Sequence, residues 1–173
     1  SADTPKILAL KPDLVLTFSD LQADIVASLI REGVPVHAFN QRTVAGILEM
    51  IRLLAAMVGA HGKGEALASE LEARLEAVRR EASSLPRRPH VYFEEWNEPM
   101  ISGIGWVSEL IAIAGGIDIF DALSERKAAK DGIVSAHAVI AAAPDIILGS
   151  WCGKKFRPEQ VRARPGFDAI PAV

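Results

Sequence analysis

The chemistry-bearing residues of this chain are three tryptophans, one cysteine, two adjacent glutamates and four scattered histidines. Glu94 and Glu95 invite an acid/base reading, but neighbours along a strand point to opposite faces and cannot serve one reaction centre. One of the pair is expected to face a ligand and accept hydrogen bonds from its amide groups, the other to pair locally. His37, His61, His90 and His137 have no three- or four-residue spacing among themselves and no nearby cysteine, which argues against a protein-built zinc site. His90 could supply an axial metal ligand, although an exposed histidine at the start of a strand is the simpler reading. Cys152 lies in a glycine-bounded loop beside Lys154 and Lys155. Without a histidine or carboxylate at known distance, nucleophilic catalysis does not follow, and a loop that contacts ligand, with Lys154 or Lys155 meeting its carboxylate or phosphate groups, is expected instead. Trp96, Trp106 and Trp151 offer wide, rigid rings that lose little rotamer entropy on contact, which suits a large flat ligand such as a corrin, a porphyrin or a nucleobase. Core packing is the competing reading, strongest for Trp106, which opens the helical run Val107 to Ala114. Gly103, Gly105, Gly149 and Gly153 bracket these rings and permit either tight turns or close approach of a ligand to backbone.

The elements that must position these residues are announced by a repeat. Ile7-Leu-Ala-Leu-Lys-Pro-Asp-Leu-Val-Leu16 returns as Val139-Ile-Ala-Ala-Ala-Pro-Asp-Ile-Ile-Leu148. Each copy reads as a short helix stopped ahead of a proline, followed by a short aliphatic strand covered on both faces. Asp3 and Ser135 stand at equivalent N-cap positions. Between the copies run a helix near Leu21 to Glu32 stopped by Gly33, a strand Val34 to Phe39 and a helix Thr43 to Val58. A long amphipathic helix follows from Lys63 to Ser84, its stripe marked by Leu67, Leu71, Leu75 and Val78. The prolines of Ser83 to Pro89 break it, and Val91 to Glu95 resumes as a strand. This β/α alternation predicts an α/β fold with mostly parallel pairing. Ligands of such sheets bind beyond the carboxyl ends of the strands. The loops Phe18-Ser19-Asp20, Trp96 to Gly105 and Ser150 to Phe156 are therefore the candidate binding edges, and they hold all three tryptophans in a chain with only 6% aromatic residues.

Composition narrows the function classes. Half of the 173 residues are apolar, enough to bury a core and to exclude disorder. A net charge of -3 gives no basic footprint, so nucleic acid is not an expected partner. The arginines between Arg74 and Arg88 are interleaved with glutamates, as on a solvated helix face. One cysteine excludes an internal disulfide framework, and no run reaches the roughly 18 to 20 apolar residues of a spanning helix. No charged-then-apolar leader opens the chain, and both ends read as cut.

At this point the residues resemble a family, the cobalamin-type class III periplasmic binding proteins of ABC importers, which share their fold with ferric-siderophore and haem binders. The resemblance is carried by Ile7 to Leu16, by Glu95-Trp96 with Pro99, Gly103 and Trp106-Val-Ser-Glu-Leu-Ile-Ala-Ile-Ala-Gly-Gly116, by Ala143-Pro-Asp-Ile-Ile-Leu148, and by Arg164-Pro-Gly-Phe-Asp-Ala-Ile-Pro171. It implies two small α/β lobes joined by one long helix: a partial N-terminal lobe over 1–62, the helix and linker over 63–88, and an incomplete C-terminal lobe over 89–173. It also implies a binding protein, not an enzyme, that captures cobalamin or a related metal chelate between the lobes as transported ligand, with no catalytic cofactor. Phe18, Ser19, Asp20, Glu95, Trp96, Met100, Gly103, Trp106, Trp151, Cys152 and Lys154 are the implied ligand contacts. Asp24 and Asp168 fall near the acidic positions with which such proteins dock on permease subunits. A periplasmic or cell-surface location and a monomeric state when full length are further implications.

Two alternatives stand beside this reading. The same fold serves haem, ferric siderophores or oxyanions. The run Trp96-Asn97-Glu98-Pro99 is similar to the acid/base motif of a clan of retaining glycosidases, with Glu98 as acid/base. Those enzymes are eight-stranded barrels of about 250 residues with a second strand-end carboxylate about 5 Å away, and no second such glutamate follows here.

Overall fold

The computed structural model describes residues 3–126 and 128–173 of the chain. Backbone contacts divide it into two compact units, Ser1–Gln41 and Arg42–Val173.

In the first unit, α1 (Thr4–Ala9) is capped by Asp3, whose side chain accepts the Lys6 N–H. Strand β1 (Val15–Phe18) follows, then a 3-10 turn, α2 (Ala23–Arg31) and β2 (Val36–Phe39), which pairs in parallel with β1. The expected single helix from Leu21 is thus a 3-10 turn over Asp20–Gln22 leading into α2. The second strand starts later than Val34 because the Val34 N–H closes the end of α2 on the Leu29 carbonyl and Pro35 has no N–H to give. Leu29, fully buried, and Phe39 anchor the unit's core.

The second unit opens with a helical hairpin, α3 (Val44–Met57) and α4 (His61–Ala82). The 22-residue α4 begins two residues before the expected Lys63, since Gly59 ends α3 at φ +70° and Ala60 caps the next helix directly. Small residues let the pair cross closely: Ala55 and Ala68 are buried, and a Cβ on Gly64 would lie 2.2 Å from the Ala55 Cβ. Arg52 on α3 binds Glu65 and Glu72 on α4, each at 3.0 Å.

Beyond the hairpin, β3 (His90–Asn97) is the centre of a four-stranded sheet. It pairs antiparallel with β4 (Met100–Ser102) and parallel with β5 (Ile117–Asp118) and β6 (Ile146–Gly149). Helix α5 (Gly105–Ile113) lies between β4 and β5 in sequence, α6 (Ala136–Ala142) precedes β6, and α7 (Pro158–Arg162) follows it. Three of the four strand pairings are parallel, giving the expected α/β class with one long helix.

The repeat seen in sequence is also a repeat of backbone. Asp3 and Ser135 cap α1 and α6 through their side chains, and Lys11 and Ala143, each just before proline, sit at φ +48° and +43°. The strands after them are barer than expected: Leu16, Phe18, Ile146 and Leu148 are each at least 40% exposed. Covering on both faces is therefore corrected to covering on one, with exposed and more buried positions alternating along each strand although the exposed ones are also largely apolar.

Candidate ligand-binding site

The carboxyl end of β3 carries the site, and its anchor is Glu94. This side chain is fully buried yet satisfied on every side. Arg164 grips it with two guanidinium nitrogens, the Nη2 contact being 2.8 Å. The Trp151 indole N–H donates to it at 2.9 Å and the Tyr92 hydroxyl at 3.1 Å. A bidentate, fully hydrogen-bonded arrangement is the condition under which a buried carboxylate is tolerated. Burial first, and then the Glu94 carboxylate, push the Tyr92 phenol far above its usual range. Burial works against the Arg164 charge, but the hydrogen bonds to Glu94 outweigh it and raise its pKa.

Glu95, one residue on, turns to the other side and meets Arg126 at 3.1 Å. Arg126 is itself only 3% exposed and also binds the carbonyls of Ser102 and Gly103. Alternation along the strand thus holds, but both glutamates pair with arginines. The predicted ligand contact Glu95 has its carboxylate engaged within the fold.

Past a bulge between Glu94 and Trp96, the chain makes a tight hairpin through a cis Glu98–Pro99 bond to Met100. Trp96 is fixed by its indole N–H, which donates to the Glu98 carbonyl at 2.8 Å. The run Trp96-Asn97-Glu98-Pro99 is therefore a hairpin turn on a four-stranded sheet, not the strand end of a barrel. Glu98 is exposed at that turn, and the nearby buried carboxylate, Glu94, is bound to Arg164. The glycosidase alternative is overturned.

The Trp151-Cys152-Gly153-Lys154 segment is a turn closed by the Lys154 N–H on the Trp151 carbonyl at 3.2 Å, with Gly153 at φ +76°. It folds Lys154 back so that its ammonium lies 3.9 Å from the centroid of the Trp96 ring and 5.7 Å from that of Trp151. Trp96 and Met100 are partly buried against a core cluster that contains Tyr92, Trp151 and Phe167. Trp151 is 4% exposed and packs edge-on against Phe156 at 5.0 Å. This corrects the expectation that its ring lines a cleft: the indole is core, and its polar edge is spent on Glu94. Cys152 is exposed and unbonded to another cysteine.

Trp106 belongs elsewhere. It packs with Val91, Val107, Ile111 and Phe93, the cluster built on the alternate residues of β3. With Val44, Leu71, Leu75 and Leu110 it lines an apolar groove of about 280 Å³ among α3, α4 and α5. The structure thus brings Trp96, Met100, Trp151 and Lys154 together and sets Trp106 apart from them. Gly103 is likewise explained by packing, because a Cβ there would lie 2.9 Å from Val107. Gly149 accommodates the Phe156 ring, which a Cβ would meet at 1.9 Å.

In the first unit, Phe18 ends β1 and is 48% exposed. Its N–H is held by the Gln22 side chain, and Ser19, at φ +67°, donates its own N–H to the Phe39 carbonyl at 2.7 Å. Asp20 begins the 3-10 turn. Asp24 and Asp168 are both exposed, in the first turn of α2 and of the 3-10 turn Phe167–Ala169 respectively. His90 is exposed at the start of β3, and no group of three metal-ligating side chains occurs among the described residues.

Arg164, Arg126 and Tyr92 were not singled out from the sequence. Arg164 opens a recognisable run, but its partner lies 70 residues earlier, and only the tertiary fold joins them.

The comparisons agree with this geometry. A family model described as periplasmic binding protein matches residues 1–173. The vitamin B12-binding protein of Vibrio campbellii (strain ATCC BAA-1116) is 28% identical over 148 residues, 84% of this chain and 52% of that protein. The chain thus spans about half the length of the curated relative it matches. Among solved structures, the periplasmic vitamin B12-binding protein BtuF of Vibrio cholerae superposes with a TM-score of 0.69 at 23% identity, covering 99% of this chain and 66% of that one. The periplasmic haem-binding protein RhuT from Roseiflexus sp. RS-1 does so with a TM-score of 0.69 at 27% identity, covering 86% and 58%. With its class III α/β architecture and a family model that matches from first residue to last, the chain belongs to the periplasmic binding protein family.

Proposed function

We propose that the protein is the substrate-binding component of an ABC importer, reversibly capturing cobalamin or a related metal chelate and delivering it to a membrane permease. The observation that carries the ligand class is the relation to a vitamin B12-binding protein at 28% identity along 84% of this chain. Trp96, half-buried and pinned through its indole N–H, supports it by offering a rigid aromatic face at a strand end. Part of the same proposal is the division into an N-terminal lobe over 1–62, a connecting helix and linker over 63–88, and a C-terminal lobe over 89–173. Phe18, Ser19 and Asp20 are proposed to contribute contacts from the N-terminal lobe, and Glu95, Met100, Gly103, Cys152 and Lys154 from the other, while Trp106, in its separate groove, stands outside this group. Exposed Asp24 and Asp168 are the proposed permease-docking positions. A periplasmic or surface location and a monomeric state complete the reading. Among the described residues no helix is long and apolar enough to cross a membrane.

Haem is the second reading, favoured by the likeness to the haem-binding protein RhuT at 27% identity. Titration of the protein, prepared with its natural ends, with cyanocobalamin, haemin and a ferric siderophore separates these readings. Saturable quenching of tryptophan emission by cyanocobalamin supports the first and by haemin the second. Silence with every chelate sinks both.

A further inference from the structure

The Trp96 ring is the best-placed flat surface at the end of β3, yet its face is already occupied by the chain's own Lys154 at 3.9 Å. Trp96 is tied through its indole N–H to Glu98, and Lys154 ends a turn whose first residue, Trp151, is locked by Glu94. Among the described residues Lys154 makes no ion pair, so its ammonium faces the two indole rings and its charge is otherwise unspent. A ligand that stacks on Trp96 must lift this ammonium off the ring and leave a cation beside itself.

We propose that Lys154 is the specificity-determining residue of this site, selecting flat chelates that carry a carboxylate or phosphate on their rim over neutral ones of the same shape. This inference rests on the binding function proposed above. A neutral ligand loses the cation–ring attraction and gains nothing in return, whereas an acidic substituent receives the displaced ammonium as a charge-assisted partner. The cation–ring contact at an exposed position corresponds to about a two- to five-fold change in binding. Lys155, one residue on, carries the same charge without a ring contact and is the control.

The test compares cyanocobalamin with its monocarboxylate, in which one peripheral amide is an acid, on the protein with its natural ends and on Lys154→Met and Lys155→Met. Methionine keeps the apolar stem and removes the charge. The wild type is expected to favour the acid several-fold. Lys154→Met is expected to bind cyanocobalamin two- to five-fold more tightly and to lose the preference, with Lys155→Met close to wild type. Equal effects of the two substitutions, or a preference that survives Lys154→Met, overturn the proposal. A ligand-free measurement isolates the contact itself. The emission of Trp96, taken as the difference from Trp96→Phe, should be less quenched by iodide in Lys154→Met, and an unchanged value also overturns it. If neither cobalamin binds any form, the binding function fails and this selectivity with it, while the iodide result still reports whether the ammonium sits on the ring.

Discussion

Replacing Arg164 by methionine tests whether the Glu94 cluster holds the binding edge together. Methionine keeps most of the side-chain volume but withdraws both guanidinium contacts from a carboxylate with no solvent exposure. Breaking a buried pair by removing one partner costs about 3–5 kcal/mol, because the remaining charge is left uncompensated. Arg164 retains 16% side-chain exposure, so water can partly enter its place, and the lower end of that range, about 3 kcal/mol, is expected. For a chain of this size that corresponds to a fall in Tm of about 6–12 °C. Urea denaturation should show the loss as a lower midpoint at unchanged slope. The decisive comparison is the double variant. If the penalty is the stranded charge, Glu94→Gln in the Arg164→Met background should recover about 1–2 kcal/mol, since a neutral amide still meets Tyr92 and Trp151. A double variant as unstable as Arg164→Met, or an Arg164→Met within about 1 kcal/mol of wild type, refutes the reasoning.

Other consequences are separately measurable. The chain has one tyrosine, and burial beside Glu94 raises its pKa, so no phenolate absorbance should appear near pH 10 until the protein unfolds. The stability linked to a phenol with a raised folded pKa is complete below its unfolded value and lost as pH rises beyond it, so unfolding and ionisation should coincide at alkaline pH. Asp145 has its pKa lowered by Arg87 and then by the His90 N–H, each at 2.8 Å, so its contribution is present above the unfolded value of 3.8 and lost as pH falls through the lowered one. Asp145→Asn should consequently show a shallower decline of stability than wild type between pH 5 and pH 2 in acid titrations followed by circular dichroism. Two glycines of α4 should respond oppositely to alanine. Gly62, with open space around its Cβ position, should gain up to about 1 kcal/mol, whereas Gly64, against Ala55, should lose about 1–3 kcal/mol by forcing α3 and α4 apart. Thermal melts of both variants check the pair.

What the sequence disclosed and what it hid divide along the range of the interactions. The helix–Pro–Asp–strand repeat was legible because its causes are local: a side-chain cap at Asp3 or Ser135, and a proline that forbids the helix from continuing. Helix and strand limits were likewise within a few residues, and where they moved a local reason appears, such as Pro35 lacking an N–H. The loop contents were legible as a collection of aromatic and glycine residues, but not their assignments. Trp96, Trp106 and Trp151 are the same residue type near strand ends, and the fold gives them three different environments: a half-buried ring under Lys154, an apolar groove, and a core position bonded to Glu94. Those outcomes depend on which face of β3 each loop meets and on Arg164, 70 positions away from Glu94. The same dependence links core and site. Glu94 lies two residues before Trp96 and holds the indole of Trp151, the residue that opens the turn presenting Lys154. The charge cluster that keeps the end of β3 folded therefore also sets where the ammonium meets the ring. Loosening Arg164 should accordingly change the emission of Trp96 as well as the melting temperature.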